Sequence, residues 1–308
     1  MKLHHIIESQ QFTLPTLIEL FERADQMERV VARGGTLDYQ YKIMASLFYE
    51  PSTRTRFSFE SAMLRLGGKV LSTERAHEFS SVMMGEALED TVRVVGNYCD
   101  VIVLRHDSVG GARRAAASSL VPIINAGDGK GGEHPTQALL DLYTIYKELG
   151  AIDGVKVAMV GNLLDGRTVH SLAYLLGKFE RVKIYFVAPK ALQMKQDILD
   201  HLAADDVWYS LESDLSKVLP EVDVVYMTRI EPEKLPDQEK QPSPYYLDEM
   251  SIKRLASNAL ILHPLPRLNE IAVSVDSDPR AAYFRQTKNG VLIRMALLAS
   301  VLDNGRRH

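Results

Sequence analysis

The chain has 308 residues, of which 46% are apolar and 25% are charged. This composition is typical of a folded globular protein, so it excludes a collagen-like fibre and a wholly disordered chain. The formal net charge of −4 argues against nucleic acid as the main partner, and the single cysteine excludes an intrachain disulfide and a CxxC metal site. A chain of this length is expected to form two domains.

Helical and strand-like segments alternate along the first half of the chain. Apolar residues recur at three- and four-residue steps from Leu14 to Val31, and this spacing predicts an amphipathic helix. Short apolar runs predict strands at residues 43–49, 100–105 and 121–125. Helices are expected from about 55 to 66, before each of the two later strands, and at 134–149.

The second half repeats this alternation. Strands are predicted at residues 155–161, 182–188, 222–228 and 259–263, and helices at 167–179, 192–203 and 289–302. The pattern predicts an α/β fold of two domains, each a parallel sheet flanked by helices. Residues 231–246 have no apolar period, so they predict a long functional loop. No apolar run reaches the ~20 residues that a membrane span needs, and no signal peptide is evident, so we expect a cytoplasmic protein without a membrane partner.

The segment PSTRTR carries the strongest functional signal. Ser52, Thr53, Arg54 and Thr55 lie where a helix begins, so backbone N–H groups, hydroxyls and a guanidinium meet there. These donors suit a phosphate group. A serine N-cap beside surface arginines is the competing interpretation, but four donors in a row favour phosphate.

A glycine-rich turn follows the predicted strand that ends at Asn125. Beyond it, His134 and Gln137 lie one turn apart on one helix face, and both can donate to a carbonyl oxygen. Arg105 closes another strand. Because ligands bind at the carboxyl ends of strands in open α/β sheets, we expect Arg54, Arg105 and His134 to converge. A helix-capping role explains His134 about equally well.

Two arginines follow predicted strands of the second half. Arg167 and Arg229 at neighbouring strand ends suit a ligand with two carboxylates, although each alone is more typical of a solvated surface arginine. The motif HPLPR at residues 263–267 places two prolines after a strand, where they expose backbone carbonyls or form a rigid turn. Motifs for dinucleotide, ATP, zinc-protease and α/β-hydrolase chemistry do not occur in the sequence.

Three motifs occur in a characteristic order along the chain: PSTRTR, HPTQALLD and HPLPR. Through these motifs the chain resembles the aspartate/ornithine carbamoyltransferase family. The resemblance extends over nearly the whole chain, to the terminal NGVLIRMALL. Members that use ornithine typically carry HCLP and an SMG loop, whereas this chain has HPLP and TRI at residues 228–230. The resemblance therefore favours aspartate as the acceptor.

The resemblance implies transfer of a carbamoyl group from carbamoyl phosphate to aspartate, an early step of pyrimidine biosynthesis. It implies a homotrimer with shared active sites, and it implies no metal or other cofactor. The expected organisation is a carbamoyl-phosphate domain (residues 1–133 with the terminal helix 289–308, which returns to it), a connecting helix (134–149) and an aspartate domain (150–288).

Residue roles follow from the same resemblance. The residues that would hold the phosphate are Ser52, Thr53, Arg54, Thr55 and Arg105. The residues that would polarise the carbamoyl oxygen are Thr55, Arg105 and His134, and the groups that would bind its amino end are Gln137 and the carbonyls of Pro264 and Leu265. The aspartate would be bound by Arg167, Arg229 and Glu231.

Three positions depart from the family pattern. Ser80 and Met84 lie on a loop that serves a neighbouring subunit in the family, and the family has lysine where this chain has Met84. Asn162 and Glu231 replace the usual aspartate and glutamine. Three interpretations follow: a carbamoyltransferase for aspartate with another cation in place of the lysine, one for another amine, or a homologue that binds without turnover. The retained Arg54, Arg105, His134, Arg167 and Arg229 favour the first. If no other cation compensates for the missing lysine, we expect low turnover.

Overall fold

The computed structural model describes residues 3–74, 85–230 and 245–304. It divides the chain into two compact units. The first unit is Met1–Leu140 with Lys288–His308, and the second unit is Asp141–Thr287. Within the described residues, no helix is long and apolar enough to cross a membrane.

The first unit is built on a four-stranded sheet. Its strands are β1 (Ile43–Phe48), β2 (Lys69–Glu74), β3 (Val101–His106) and β4 (Ile123–Asp128). They pair in the order β2-β1-β3-β4, and every pair is parallel. Its helices are α1 (Leu14–Ala32), α2 (Thr53–Arg65), α3 (Leu88–Gly96), α4 (Gly111–Ser118) and the first residues of α5 (Pro135–Leu149). Strands β3 and β4 are buried along nearly their whole length because helices cover them.

One core of the first unit lies between its central strands and the helices α3 and α4. Ile102 and Leu104 of β3 are fully buried there against Val92 of α3 and Ala112 of α4. The chain start also joins this sheet, because Ile6 forms a parallel bridge with Ile124 beyond the edge of β4. The loops at the strand ends therefore project from a rigid base.

The second unit carries a five-stranded sheet. Its strands are β5 (Lys156–Val160), β6 (Lys183–Val187), β7 (Trp208–Glu212), β8 (Val224–Met227) and β9 (Leu260–Leu262). They pair in the order β7-β6-β5-β8-β9, again all parallel. Its helices are the rest of α5, α6 (Arg167–Leu176), α7 (Gln196–Ala204), the short α8 (Leu215–Val218) and the start of α9 (Tyr283–Asn304).

The terminal helix α9 packs into the first unit, as predicted. The buried Arg294 donates to Ser58 Oγ of α2 at 2.8 Å, and its guanidinium lies 5.0 Å from the centre of the Phe59 ring. Near the helix end, Tyr39 donates to Asp303 at 2.9 Å, and Arg23 forms an ion pair with the same carboxylate. The predicted fold class, two parallel sheets flanked by helices with the last helix returning to the first domain, is confirmed.

Candidate active site

The loop after β1 presents the predicted phosphate donors. Ser52 occupies the N-cap of α2 with φ −160° and ψ 82°, and within the described residues its side chain makes no capping hydrogen bond. Thr53 and Arg54 are exposed, whereas Thr55 is buried. The Ser52 hydroxyl is thus not used as a cap, which weakens the competing interpretation of this segment.

Arg105 lies beside this loop. It pairs in register with Phe48 across β1 and β3, and its carbonyl accepts the Tyr49 N–H at 2.9 Å. Its side chain, only 11% exposed, donates from Nη1 to the Ala126 carbonyl at 3.1 Å and forms an ion pair through Nη2 with Glu50 at 3.1 Å. The sheet therefore brings Arg105 to the segment that carries Ser52.

His134 and Gln137 follow the next strand, β4. Both are buried, and the His134 carbonyl accepts the N–H groups of Gln137 at 3.0 Å and Ala138 at 3.3 Å. His134 therefore caps α5 through its backbone. The turn before it is closed by Asp128, whose carboxylate accepts from the N–H groups of Gly110 at 3.0 Å and Glu133 at 2.8 Å.

Arg54, Arg105 and Glu50 carry charge beside the loop after β1. Desolvation by neighbouring protein lowers the pKa of Arg54 from its ordinary value. An arginine nevertheless stays protonated at neutral pH, so Arg54 and Arg105 are both cations there. Glu50 offsets one of these charges through its ion pair with Arg105.

In the second unit, the loops after β5 and β8 carry Arg167 and Arg229. Arg167 is the first residue of α6, and Arg229 is exposed just after β8. The two loops touch through their backbones, because the Asn162 N–H donates to the Arg229 carbonyl at 3.3 Å. Gly161 has φ +126°, and a Cβ there would lie 2.5 Å from the Thr228 carbonyl oxygen. Only glycine allows this close approach.

The side chain of Asn162 forms hydrogen bonds within its own loop. Its Oδ1 accepts the Asp165 N–H at 3.1 Å, and its Nδ2 lies 3.4 Å from the Asp165 carboxylate. The residue therefore shapes the turn that precedes Arg167. This position is one of the three that depart from the family pattern.

The loop after β9 contains HPLPR. The buried His263 accepts the Leu265 N–H at Nδ1 (2.8 Å), and its Nε2 lies 2.8 Å from Glu270 Oε1. Leu265 has φ +54°, and a cis peptide bond joins it to Pro266. Burial opposes ionisation of Glu270, but the hydrogen bond from His263 and those from backbone N–H groups hold the pKa of Glu270 below its ordinary value.

Arg267, the last residue of HPLPR, has a structural role. It forms a bidentate ion pair with Asp276, with Nη2 at 2.6 Å from Oδ2, and it donates to the Tyr283 hydroxyl at 2.9 Å. Its guanidinium also lies 5.2 Å from the centre of the Tyr283 ring. These contacts tie the end of the loop to the start of α9.

Both arginine sets lie where the strand order of a sheet reverses. In the first unit β1 is flanked by β2 and β3, and in the second unit β5 is flanked by β6 and β8. Loops that leave two strands at such a reversal turn to opposite faces of the sheet and open a crevice, the usual ligand site of open α/β sheets. Arg105 lies at the end of β3 and Ser52 follows β1, whereas Arg167 and Arg229 follow β5 and β8.

Comparisons with known proteins agree with this geometry. Residues 4–147 match the family description "Aspartate/ornithine carbamoyltransferase, carbamoyl-P binding domain", and residues 153–301 match "Aspartate/ornithine carbamoyltransferase, Asp/Orn binding domain". The two matches together cover most of the chain. The chain belongs to the aspartate/ornithine carbamoyltransferase family.

Relatives within this family match nearly the whole of this chain. The chloroplastic aspartate carbamoyltransferase of Oryza sativa subsp. japonica is 52% identical over 312 residues, covering 98% of this chain and 86% of the relative. The catalytic subunit of M. jannaschii aspartate transcarbamoylase superposes with a TM-score of 0.92 at 44% identity, covering 99% of this chain and 100% of that one. Aspartate transcarbamoylase of Trypanosoma cruzi, solved with carbamoyl phosphate and aspartate, superposes with a TM-score of 0.88 at 40% identity, covering 96% of each chain.

Several predicted family residues lie outside the described part of the chain. These are Ser80 and Met84 of the loop expected to serve a neighbouring subunit, and Glu231 of the expected aspartate site. The predicted loop at 231–246 also falls almost entirely outside it.

The structure adds site residues that sequence reasoning missed. Glu50 directly precedes the PSTRTR segment, and Glu270 lies seven residues after His263. Glu50 could have been found from the sequence, because it is a carboxylate next to a predicted anion site. A buried arginine such as Arg105 needs a negative partner nearby. The His263–Glu270 pair left no comparable signal, since the intervening loop has no regular spacing.

Proposed function

We propose that this chain transfers the carbamoyl group of carbamoyl phosphate to the amino group of L-aspartate. The products are N-carbamoyl-L-aspartate and phosphate, and the reaction is an early step of pyrimidine biosynthesis. The observation that carries this proposal is the near full-length identity of about half to chains named aspartate carbamoyltransferase. The arginines at both strand-order reversals support it, because one substrate carries a phosphate and the other two carboxylates.

The assignment of the two substrates follows the two units. We propose that residues 1–133 with 289–308 bind carbamoyl phosphate, that residues 150–288 bind aspartate, and that the helix at 134–149 connects them. The names of the two matching family domains support this division.

The phosphate is proposed to bind at the loop after β1. The donors assigned to it are Ser52, Thr53, Arg54, Thr55 and Arg105. The ion pair between Arg105 and Glu50 supports a site that an anion can enter by displacing a carboxylate. Charge-assisted hydrogen bonds from two guanidiniums then replace the water that the phosphate loses.

The carbamoyl group is proposed to be held by a second set of donors and acceptors. Thr55, Arg105 and His134 donate to its oxygen. Its amino group is assigned to Gln137 and to the backbone carbonyls of Pro264 and Leu265. The left-handed conformation of Leu265 supports a functional role for this loop, because such strain persists only where the surroundings hold it.

Arg167 and Arg229, with Glu231, are assigned to the aspartate carboxylates. The aspartate amine attacks the carbamoyl carbon and a tetrahedral intermediate forms. Phosphate then leaves with the electron pair of the broken C–O bond and takes up the proton that the amine gives up. Catalysis then rests on positioning the two substrates and on stabilising the oxyanion and the departing phosphate.

The deciding experiment is a steady-state carbamoylation assay of the purified chain with aspartate and ornithine side by side. We expect carbamoyl-aspartate and phosphate in equal amounts, and no carbamoyl-ornithine. Product with ornithine alone would favour another amine acceptor, and no product with either would favour a homologue that binds without turnover.

We further propose that turnover is lower than in relatives that carry lysine at position 84. The neutral thioether of Met84 cannot supply a cation to a dianionic phosphate. In this proposal Ser80 and Met84 act at the site of a neighbouring subunit in a homotrimer.

Cytoplasmic location remains a prediction. Relatives from Oryza sativa and Pisum sativum are named chloroplastic, whereas the Methanopyrus kandleri relative is named a catalytic subunit without a compartment. Cell fractionation followed by the carbamoylation assay on each fraction would locate the activity.

A further inference from the structure

His263 in the loop after β9 is fixed in one tautomer. Its Nδ1 accepts the Leu265 N–H at 2.8 Å, so this nitrogen carries no proton. The proton of the neutral ring is therefore on Nε2, which donates to Glu270 Oε1 at 2.8 Å. The imidazole is 2% exposed, so these two bonds satisfy both ring nitrogens away from water.

Glu270 holds this tautomer in place. Its second oxygen, Oε2, accepts the N–H groups of Leu268 and Asn269, each at 3.0 Å. The carboxylate thus accepts three hydrogen bonds and donates none, which suits the anion alone. The backbone of His263 is anchored as well, because its N–H donates to Gln286 Oε1 at 3.0 Å.

The bond to Leu265 controls the direction of a carbonyl. A peptide group is planar, so the Leu265 N–H and the Pro264 C=O belong to one rigid plane and point in opposite directions. Fixing the N–H on His263 therefore aims the Pro264 carbonyl away from the histidine. Leu265 itself has φ +54°, which is unfavourable for leucine and needs such a constraint.

We infer that His263 and Glu270 are a positioning pair that orients the Pro264 carbonyl for the amino group of carbamoyl phosphate. The inference rests on the proposed function, and neither residue touches substrate in it. Glu270 fixes the tautomer, the tautomer supplies an acceptor for the Leu265 N–H, and that bond sets the peptide plane.

Two replacements of His263 separate its two nitrogens. His263→Asn keeps an acceptor near the position of Nδ1, whereas His263→Gln keeps a donor near the position of Nε2. We expect His263→Gln to lower kcat/KM for carbamoyl phosphate about tenfold more than His263→Asn, because only the first leaves the Leu265 N–H without an acceptor. His201→Gln, on the partly exposed helix α7, is the matched control and should behave like the wild type.

Glu270→Gln tests the other half of the pair. The amide can place its oxygen on the two backbone N–H groups, but its NH₂ then faces His263 Nε2. That contact favours the opposite tautomer, in which Nδ1 carries the proton. Two donors, Nδ1–H and the Leu265 N–H, would then face each other, and their hydrogen bond would be lost. We therefore expect the same loss in kcat/KM as in His263→Gln.

Two binding and exchange measurements separate positioning from general damage. Affinity for inorganic phosphate should stay within about twofold of wild type in all variants, because the phosphate donors lie in the first unit. Peptide-level hydrogen exchange over residues 262–268 should be faster in His263→Gln and Glu270→Gln than in wild type and His263→Asn.

Equal kcat/KM and equal hydrogen exchange in His263→Asn and His263→Gln would overturn the inference. A loss of affinity for inorganic phosphate as large as the loss in kcat/KM for carbamoyl phosphate would also overturn it. A wild-type chain that transfers no carbamoyl group would overturn the proposed function instead. The exchange comparison would still show in that case whether His263 holds the Leu265 peptide.

Discussion

At the scale of single residues, Glu50 is the carboxylate that the proposed phosphate would meet at Arg105. Its carboxylate lies 3.1 Å from Arg105, and Arg105 is mostly buried, so the ion pair is only partly screened by water. A phosphate that binds Arg105 must displace this carboxylate. Arg54 is exposed and has no carboxylate paired with it among the described residues, so its contribution is the simpler one to measure.

Arg54→Ala should weaken carbamoyl phosphate binding by about 1.5–3 kcal/mol, the worth of one charge-assisted hydrogen bond. Titration calorimetry of both proteins measures this difference directly. Arg93→Ala is the control, because Arg93 is an exposed arginine of the same unit on α3 and pairs on the surface with Asp90. Equal affinity in wild type and Arg54→Ala would remove Arg54 from the site.

Met84→Lys should raise kcat by about a hundredfold, because an ammonium near the leaving phosphate contributes ~3 kcal/mol of transition-state stabilisation. Steady-state kinetics on wild type and variant gives the ratio. Met83→Lys adds the same charge one residue earlier and should leave kcat low. A wild-type rate typical of lysine-bearing relatives, unchanged by Met84→Lys, would show that another cation has replaced the lysine.

At the scale of elements, the loops after β5 and β8 are pressed together at Gly161. Gly154 provides a matched comparison, since it also has positive φ but a methyl group added to it would have no atom of the described residues within 4 Å. Gly154→Ala should cost about 1 kcal/mol of folding free energy from backbone strain alone. Gly161→Ala should cost about 3 kcal/mol or more, because overlap with Thr228 is added.

The same pair of variants tests the aspartate site. Denaturant unfolding measures the stability difference. Kinetics should show a raised KM for aspartate in Gly161→Ala, since the two loops position Arg167 and Arg229. Gly154→Ala should keep the wild-type KM. If both variants lose the same stability and keep the same KM, the loop contact has no role in the site.

The N-terminal segment is attached to the edge of the first sheet through His5. Its Nδ1 accepts the Ile123 N–H at 3.1 Å, next to the bridge between Ile6 and Ile124. Burial, and then the charge of His4, lower the pKa of His5 from its ordinary value of 6.5 to about 4. Protonation would abolish the acceptor, so the attachment depends on neutral His5.

This shift predicts a pH dependence of stability. Because the native pKa lies below the unfolded one, the contribution of His5 is fully present above pH 6.5 and is lost as pH falls toward 4. His5→Asn, which keeps an acceptor, should flatten the fall in unfolding free energy over this range. Denaturant unfolding at several pH values measures the slope, and identical slopes would contradict the assignment.

At the scale of the whole molecule, the proposed homotrimer can be tested in solution. Light scattering at several protein concentrations should give three times the mass of one chain, independent of dilution. A mass of one chain would leave Ser80 and Met84 without a neighbouring site to serve, and the Met84→Lys prediction would lose its structural basis.

Most of the fold could be predicted because buried parallel strands are plain apolar runs. The runs at 43–49 and 155–161 match β1 and β5 closely. The strands β2 and β7 were missed because they are edge strands with exposed side chains, such as Leu71 and Trp208, and so lack an apolar run. The terminal helix begins at Tyr283, six residues before the predicted start at 289. Its first turns consist largely of polar residues, so they lack the apolar periodicity that indicates a helix.

The places of the motif residues relative to the strands could be predicted, whereas the contacts among them could not. The phosphate motif could be recognised because its hydrogen-bond donors, Ser52 to Thr55, are consecutive in the sequence at the start of a helix. Glu50 and the His263–Glu270 pair depend on contacts formed by folding, so spacing alone could not reveal them. The roles assigned to Arg54, Arg105 and His134 stay predictions, and Arg54→Ala tests the first of them.

Segments far apart in the sequence meet in the first unit, and this has a consequence for synthesis on the ribosome. Tyr39 and Ser58 are translated before the second unit, whereas their partners Asp303 and Arg294 are translated after it. The second unit is one uninterrupted stretch, Asp141–Thr287, and can complete its own sheet while the end of the chain is still being made. The first unit therefore cannot be completed until residues from Lys288 onward are translated, and a chain cut short before them would leave its core open.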